Sequence, residues 1–263
     1  MPLILATDAP GGDAEIFASI QGEGPSMGKP CAFVRLSRCN LACHWCDTAY
    51  TWRFTGDNRP HRDDIAYDRQ ANQVTLEEAD VAGRIAALGK ERLVVTGGEP
   101  LLQAAALAVM LEILVSSRVG GSLAETGPRL RGDSLAVEIE TNGTVAPTAR
   151  LDALVSQYNV SPKLAHSGNP AELALIPERL EAWTAHPRAW FKFVVARPED
   201  IEEVLDLKDR YCIPSSRIML MAEGTDAETL AQRETWLAGL CLTHNLTLSK
   251  RLHIELFGDT RGT

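Results

Sequence analysis

Arg92-Leu93-Val94-Val95-Thr96-Gly97-Gly98-Glu99-Pro100, followed by the apolar run Leu101 to Ser116, reads as a strand, a turn and a helix in succession. The aliphatic run suits a strand buried on both faces, the glycines and proline punctuate it, and the segment after them is too long for a strand. Such a unit predicts a parallel sheet with a helix crossing back over it. The alternation continues in both directions. Glu15 to Ile20 and Ala32 to Ser37 read as strands upstream, and Leu135 to Glu140, Tyr158 to Val160, Trp190 to Val195, Arg217 to Met221 and His253 to Leu256 downstream, with helical stretches between most of them. There are too few repeats for a closed barrel of eight strand–helix units.

Upstream of the central unit, Cys39-Asn40-Leu41-Ala42-Cys43-His44-Trp45-Cys46 gathers three thiols on one short loop. Three thiolates can hold three irons of a [4Fe-4S] cube and leave the fourth iron open for chemistry, whereas an electron carrier takes four cysteines. The other cysteines, Cys31, Cys212 and Cys241, lie outside the loop and read as small apolar residues. A structural zinc site is the competing reading; it needs four ligands, and His44 is cramped between two of the cysteines.

Composition narrows the class. A 263-residue chain that is 45% hydrophobic has ample core for one α/β unit spanning 1–263. Two polar stretches, Arg53 to Gln73 and Arg118 to Ser134, are expected to be surface loops or lids, with disorder as the alternative. The net charge of −9 argues against a nonspecific nucleic-acid surface and favours a small-molecule substrate. Six cysteines, three of them clustered, suggest a reducing compartment. The first residues lack the basic start of a secretory signal, no membrane-spanning run is evident, and a cytoplasmic location is expected.

The cysteine loop with its Trp45, together with Gly97-Gly98-Glu99-Pro100, resembles the radical S-adenosylmethionine (SAM) superfamily. Ser19-Ile20-Gln21-Gly22-Glu23-Gly24, Phe33-Val34-Arg35-Leu36 and the Asp47-Thr48 that follows the last cysteine narrow this to the 7-carboxy-7-deazaguanine synthase family. The likeness runs from about Glu15 to the C-terminus. It implies a partial barrel, open on one side, with about six core parallel strands. The implied reaction is radical ring contraction of 6-carboxy-5,6,7,8-tetrahydropterin to 7-carboxy-7-deazaguanine with loss of ammonia, a step towards queuosine. Implied cofactors are the [4Fe-4S] cluster on Cys39, Cys43 and Cys46, SAM, and Mg²⁺ on Thr48. Implied partners are a one-electron donor of flavodoxin or ferredoxin type and a second copy of the chain as a homodimer.

The resemblance also distributes roles. The pterin falls to Ile20, Gln21, Gly22, Glu23, Arg35, Thr96, His253 and Thr263. SAM falls to His44, Trp45, Asp47, Gly97, Gly98, Glu99, Glu140, Ser161, Pro162, Lys163, Met221 and Glu223. A forked guanidinium matches a carboxylate, which suits Arg35 to the substrate acid, although a strand-edge salt bridge is the plainer reading. Thr48 by itself reads as a turn or cap residue, the glycine tetrapeptide as a strand-to-helix turn, and His253 as a core histidine. A glycyl-radical activating enzyme and a metal-binding module are the alternatives; the Gln-Gly-Glu-Gly strand end speaks against the first and the Gly-Gly-Glu-Pro turn against the second.

Replacing Cys39, Cys43 or Cys46 by Ala is expected to abolish cluster assembly, while the same change at Cys31, Cys212 or Cys241 leaves it intact. Iron and sulfide content with visible absorption decides this. A triad variant that keeps a full cluster refutes the ligand assignment.

Overall fold

The computed structural model describes residues 2–119 and 135–263. Its strands are β1 Leu3–Ala6, β2 Ile16–Ile20, β3 Pro30–Leu36, β4 Gln73–Leu76, β5 Arg92–Gly97, β6 Ala136–Thr141, β7 Gln157–Val160, β8 Ala189–Val195, β9 Ile218–Ala222 and β10 Thr247–Ser249. Its helices are α1 Arg69–Asn72, α2 Glu78–Ala87, α3 Ala104–Val119, α4 Ala149–Asp152, α5 Ala171–Ala174, α6 Pro177–Ala185, α7 Ile201–Arg210, α8 Ala227–His244 and α9 Leu252–Phe257.

One sheet takes the order β10-β9-β8-β7-β6-β5-β3-β1-β4, with β2 paired to β3 off this path. From β3 to β10 every neighbouring pair is parallel. That makes seven parallel strands where about six are expected from an incomplete barrel. β1, β2 and β4 are antiparallel additions. The path ends at β10 and β4 without joining them, so the barrel is partial and open.

Alternation along the strands decides what faces where. Ala32, Val34 and Leu36 of β3, Val137 and Ile139 of β6, and Phe191, Phe193 and Val195 of β8 join the main apolar core. The residues between them line the concave side: Phe33 and Arg35, Glu140, and Lys192 with Val194. Strands covered on both sides explain the near-continuous apolar runs of the sequence, and the charged residues that interrupt those runs mark the inner face.

Several expectations are corrected. His253 to Leu256 lies in helix α9, and the last strand is the three-residue β10 before it. A run this short fits either period, so periodicity alone does not separate them. Leu3–Ala6 is a strand flanked by β3 and β4. The segment Pro100–Ser117 does have the length and composition to cross a membrane. Here Pro100–Gln103 is a 3-10 turn and the rest lies in α3, whose Leu107, Met110, Leu111 and Leu114 are fully buried in the core. Cys241 is buried within α8, whereas Cys212 is exposed just past α7. Residues 53–73 are ordered turns that close with α1 and feed β4. Most of 118–134 lies outside the described residues.

All the parallel strands point their C-terminal ends the same way, which brings the loops after β3, β5, β6, β7, β8 and β9 to one rim. The tightest contact on that rim is between β3 and β5. Gly97 has φ +135° and lies beside Leu36, and a Cβ on Gly98 would sit 2.0 Å from the Arg38 carbonyl oxygen. Gly98→Ala is expected to cost about 2 kcal/mol or more because backbone must move to admit the methyl. Gly83→Ala, in open space on helix α2, is expected to add about 0.5–1 kcal/mol. Urea unfolding of the two variants checks both signs; a Gly98→Ala protein as stable as the parent contradicts the packing described.

Candidate active site

The cysteine loop leaves β3 through Arg38, whose φ of +79° turns the chain sharply. Its backbone is pinned from several sides. Gly98 N–H donates to Leu36 O at 3.0 Å and Glu99 N–H to Arg38 O at 2.9 Å, which welds the loop to the end of β5. His44 N–H donates to Ser167 O at 2.8 Å, and Arg62 N–H donates to His44 O at 2.9 Å. The His61 Nε2 lies 2.7 Å from Cys46 O, so the polar segment after residue 53 packs onto the cysteine loop.

Cys39, Cys43 and Cys46 line a cavity of about 400 Å³, a size suited to small molecules. Burial pushes the Cys39 thiol up to about 12 and the Cys46 thiol up to about 11. Without a metal these sulfurs stay protonated, and coordination is what makes them thiolates. Among the described residues no three His, Cys, Asp or Glu side chains are grouped to hold one metal ion. A cubane places each thiolate on a different iron, so the donor set fits a cluster better than a zinc ion. Trp45 stacks on His166 beside the cavity, and its indole N–H is buried without a partner.

The glycines beside the cysteines carry a second correction. They do line the cavity, but Glu99 does not. Its carboxylate is fully buried and accepts from Leu101 N at 3.0 Å, Thr141 Oγ1 at 2.8 Å and Asn142 N at 2.7 Å. Burial still raises its carboxyl above the ordinary range. Glu99 therefore braces the ends of β5 and β6 from inside. Next along the rim, Lys163 Nζ donates to Ser161 O at 2.9 Å and Ser161 Oγ at 2.8 Å, and sits 5.8 Å from the Trp45 ring centre.

The opposite wall is a buried network of charges. Glu23 accepts from Lys192 Nζ and from Arg251 Nε, and Arg251 also reaches Asp47 and the Gly224 carbonyl. Burial on its own would raise the Glu23 carboxyl, but Lys192 and Arg251 outweigh it and hold it well below the carboxylate range. Burial is likewise outweighed at Asp47, chiefly by Arg251. Burial lowers His253, which favours the neutral ring. Gly22 is held under α9: Leu252 N–H donates to its carbonyl at 3.0 Å, and a Cβ there would strike the His253 ring. Gln21 Nε2 donates to Glu140 Oε1 at 3.3 Å and Thr96 Oγ1 to Glu140 Oε2 at 2.8 Å.

Arg35 makes the plainer of its two expected contacts, an ion pair, and also reaches the cavity. Its Nε donates to Glu15 at 2.8 Å, and Glu15 also accepts from the Tyr50 hydroxyl at 2.9 Å, yet the Arg35 side chain lines the cavity. Arg261 seats its guanidinium 3.4 Å from the centre of the Tyr50 ring, which lays residues 259–263 along the cavity. Thr48 also lines it, with Oγ1 3.6 Å from Cys46 Sγ. Of the residues expected here, Ile20, His44, Glu99 and Pro162 stand outside the lining, and the others line it. Lys192, Arg251, Asn159 and the stacked pair Phe17 and Phe33 line it too and had not been anticipated. A lone lysine within the apolar strand Ala189–Val195 was the available signal for Lys192.

The radical SAM superfamily profile matches residues 34–163. The chain is 36% identical over 251 residues to the 7-carboxy-7-deazaguanine synthase of Pyrobaculum aerophilum, covering 94% of this chain and 95% of that one. The enzyme of the same name from Hyperthermus butylicus is 34% identical, with 91% and 90% covered. Among solved structures, QueE from Escherichia coli superposes with a TM-score of 0.62 at 25% identity over 95% of each chain.

Arg251→Ala removes the shared partner of Glu23 and Asp47; Glu23 keeps Lys192 and Asp47 is only partly buried, so the expected cost at neutral pH is about 1–3 kcal/mol. Both carboxyls have depressed native pKa values, so their stabilisation is present above the unfolded pKa and is lost as pH falls through the native one. The gap between parent and variant should therefore hold from about pH 7 to about pH 5 and narrow only below about pH 4, towards about pH 2. Anaerobic thermal unfolding across that range tests it, and a gap independent of pH contradicts it.

Proposed function

This chain belongs to the 7-carboxy-7-deazaguanine synthase family of the radical SAM superfamily, and we propose that the rim cavity holds cluster, SAM and pterin between the cysteine loop and the Glu23 network. It is a radical SAM lyase that converts 6-carboxy-5,6,7,8-tetrahydropterin to 7-carboxy-7-deazaguanine. The observation that supports the proposed arrangement best is that the three thiols of the loop and the glycines Gly97 and Gly98 share one cavity with a fixed array of carboxylates and cations.

Cys39, Cys43 and Cys46 would hold the cluster, a set of three that leaves it open to SAM. The reduced cluster with SAM supplies radical chemistry that no side chain can provide. Gly97 and Gly98 offer backbone oxygens to the SAM ammonium, with Trp45, Asp47, Glu140, Ser161, Lys163, Met221 and Glu223 around the rest of the molecule. On the other side, Glu23 is kept anionic by its cations and accepts from the N–H edge of the pterin, beside Gln21, Thr96 and a neutral His253. Phe17 and Phe33 give an apolar floor. Arg35, held by Glu15, faces the substrate carboxylate. Thr48 would offer one oxygen to Mg²⁺, a hard cation suited to oxygen donors beside the substrate carboxylate.

Trp52, Tyr67 and the C-terminal residues Asp259, Thr260, Arg261 and Thr263 wall the cavity, while His61 and Arg62 back the cysteine loop from outside it. A one-electron donor of flavodoxin or ferredoxin type, a homodimer and a cytoplasmic location complete the reading, supported by the family resemblance.

Anaerobic incubation of the reconstituted protein with SAM, reductant, Mg²⁺ and the carboxytetrahydropterin should yield the 7-deazapurine acid and ammonia. Arg35→Lys loses the guanidinium fork and should raise the KM for the pterin about tenfold or more with little change for SAM. Thr48→Ala should raise the Mg²⁺ needed for half-maximal rate without reducing iron content. Unchanged pterin KM in the first variant, or unchanged Mg²⁺ dependence in the second, removes the role concerned; absence of product removes the reading as a whole.

A further inference from the structure

Each cysteine sulfur of the loop has a polar neighbour, and the three neighbours come from different parts of the chain. Asn169 Nδ2 lies 3.3 Å from Cys43 Sγ, Thr48 Oγ1 3.6 Å from Cys46 Sγ, and Asn142 Nδ2 3.9 Å from Cys39 Sγ. Asn169 makes the shortest of these contacts, and its direction is fixed. Its Oδ1 accepts from the Ala42 backbone N–H at 2.8 Å, so the amide cannot flip, and Nδ2 must face Cys43 and the Ser167 hydroxyl, 3.1 Å away. Asn142 differs in distance, its Nδ2 lying 3.9 Å from sulfur and donating more closely to Asn40 Oδ1 at 2.9 Å. The Thr48 hydroxyl can rotate. Cys43 is buried, so water does not replace the donor.

A donor aimed at a cluster sulfur interacts more strongly with the reduced, more negative cluster than with the oxidised one, and so raises the reduction potential. We infer that Asn169 is a positioning residue that sets the potential of the cluster by donating its amide N–H to the Cys43 sulfur. This rests on the assignment of the cluster to Cys39, Cys43 and Cys46. Nothing in Gly168-Asn169-Pro170 advertises the role, since the tripeptide reads as a turn. The consequence is functional: without the donor, a given external reductant keeps a smaller fraction of the cluster reduced.

The test is a redox titration, followed by electron paramagnetic resonance, of the anaerobically reconstituted parent and of Asn169→Ala, Asn169→Asp and Ser167→Ala. Asp keeps an oxygen for the Ala42 N–H but has no donor; Ala removes both without adding charge. At fixed solution potential the reduced-to-oxidised ratio should fall at least about threefold in both Asn169 variants, which is about 30 mV at about 59 mV per tenfold for one electron. Asp should shift further than Ala because of its charge. Ser167→Ala loosens the same turn but spares the Cys43 contact, and should titrate like the parent. An Asn169 variant with a full cluster at the parent potential overturns the inference and leaves the cysteine assignment standing. Failure of both Asn169 variants to assemble a cluster also overturns it, because Asn169 then only holds the loop. A parent protein that takes up no cluster overturns the assignment itself.

Discussion

The contact on which the rest of the molecule depends is backbone against backbone: Gly97 and Gly98 at the end of β5 lie against Leu36 and Arg38 at the end of β3. No side chain fits between them. The contact carries the cysteine loop onto the rim of the sheet, and Glu99 extends the weld by accepting from Thr141 and from Asn142 N–H at the end of β6. Asn142 reaches on to Asn40 inside the loop. Three strand ends and one loop thus become a single rigid piece, which is what a cluster site needs if its open iron is to face the same point in every molecule. Glu99 belongs to that frame, and the cavity is left to the glycines.

The concave face is expensive by comparison. Glu138 is fully buried and held by Arg92, by Ser26 at 2.6 Å and by Asn159 at 3.4 Å; Glu23 is shared by Lys192 and Arg251. Replacing such pairs by apolar residues often leaves a protein as stable or more so, so their presence on one face points to recognition more than to stability. They also define what the cavity accepts. In the proposed arrangement a ring with N–H donors would meet fixed carboxylates, and an anionic group would meet Arg35. The net charge of −9 belongs to the whole chain and carries no information about this interior.

The alternation of the parallel strands was legible because strands buried on both faces and long core helices differ in length as well as in pattern. The cysteine loop and the glycine turn were legible because their residue types have few other uses in combination. β1, β4 and β10 escaped because segments of three or four residues show no period, and His253 to Leu256 fell into α9 for the same reason. Glu99 was placed beside a ligand because a motif does not say which way its carboxylate turns; two backbone N–H groups and a hydroxyl at the ends of neighbouring segments decide that. Lys192 and Arg251 were passed over because their partners, Glu23 and Asp47, lie far away in sequence and meet them only when the sheet curves.

The central claim is that three cysteines hold a cluster whose fourth iron is open to SAM within this cavity. Electron paramagnetic resonance of the reduced protein, recorded without SAM and then with SAM labelled with ¹⁷O in its carboxylate, tests it most directly. The account predicts a change in g-values on adding SAM and a hyperfine coupling to the labelled oxygen. A cluster signal unmoved by SAM and uncoupled to the label would contradict it.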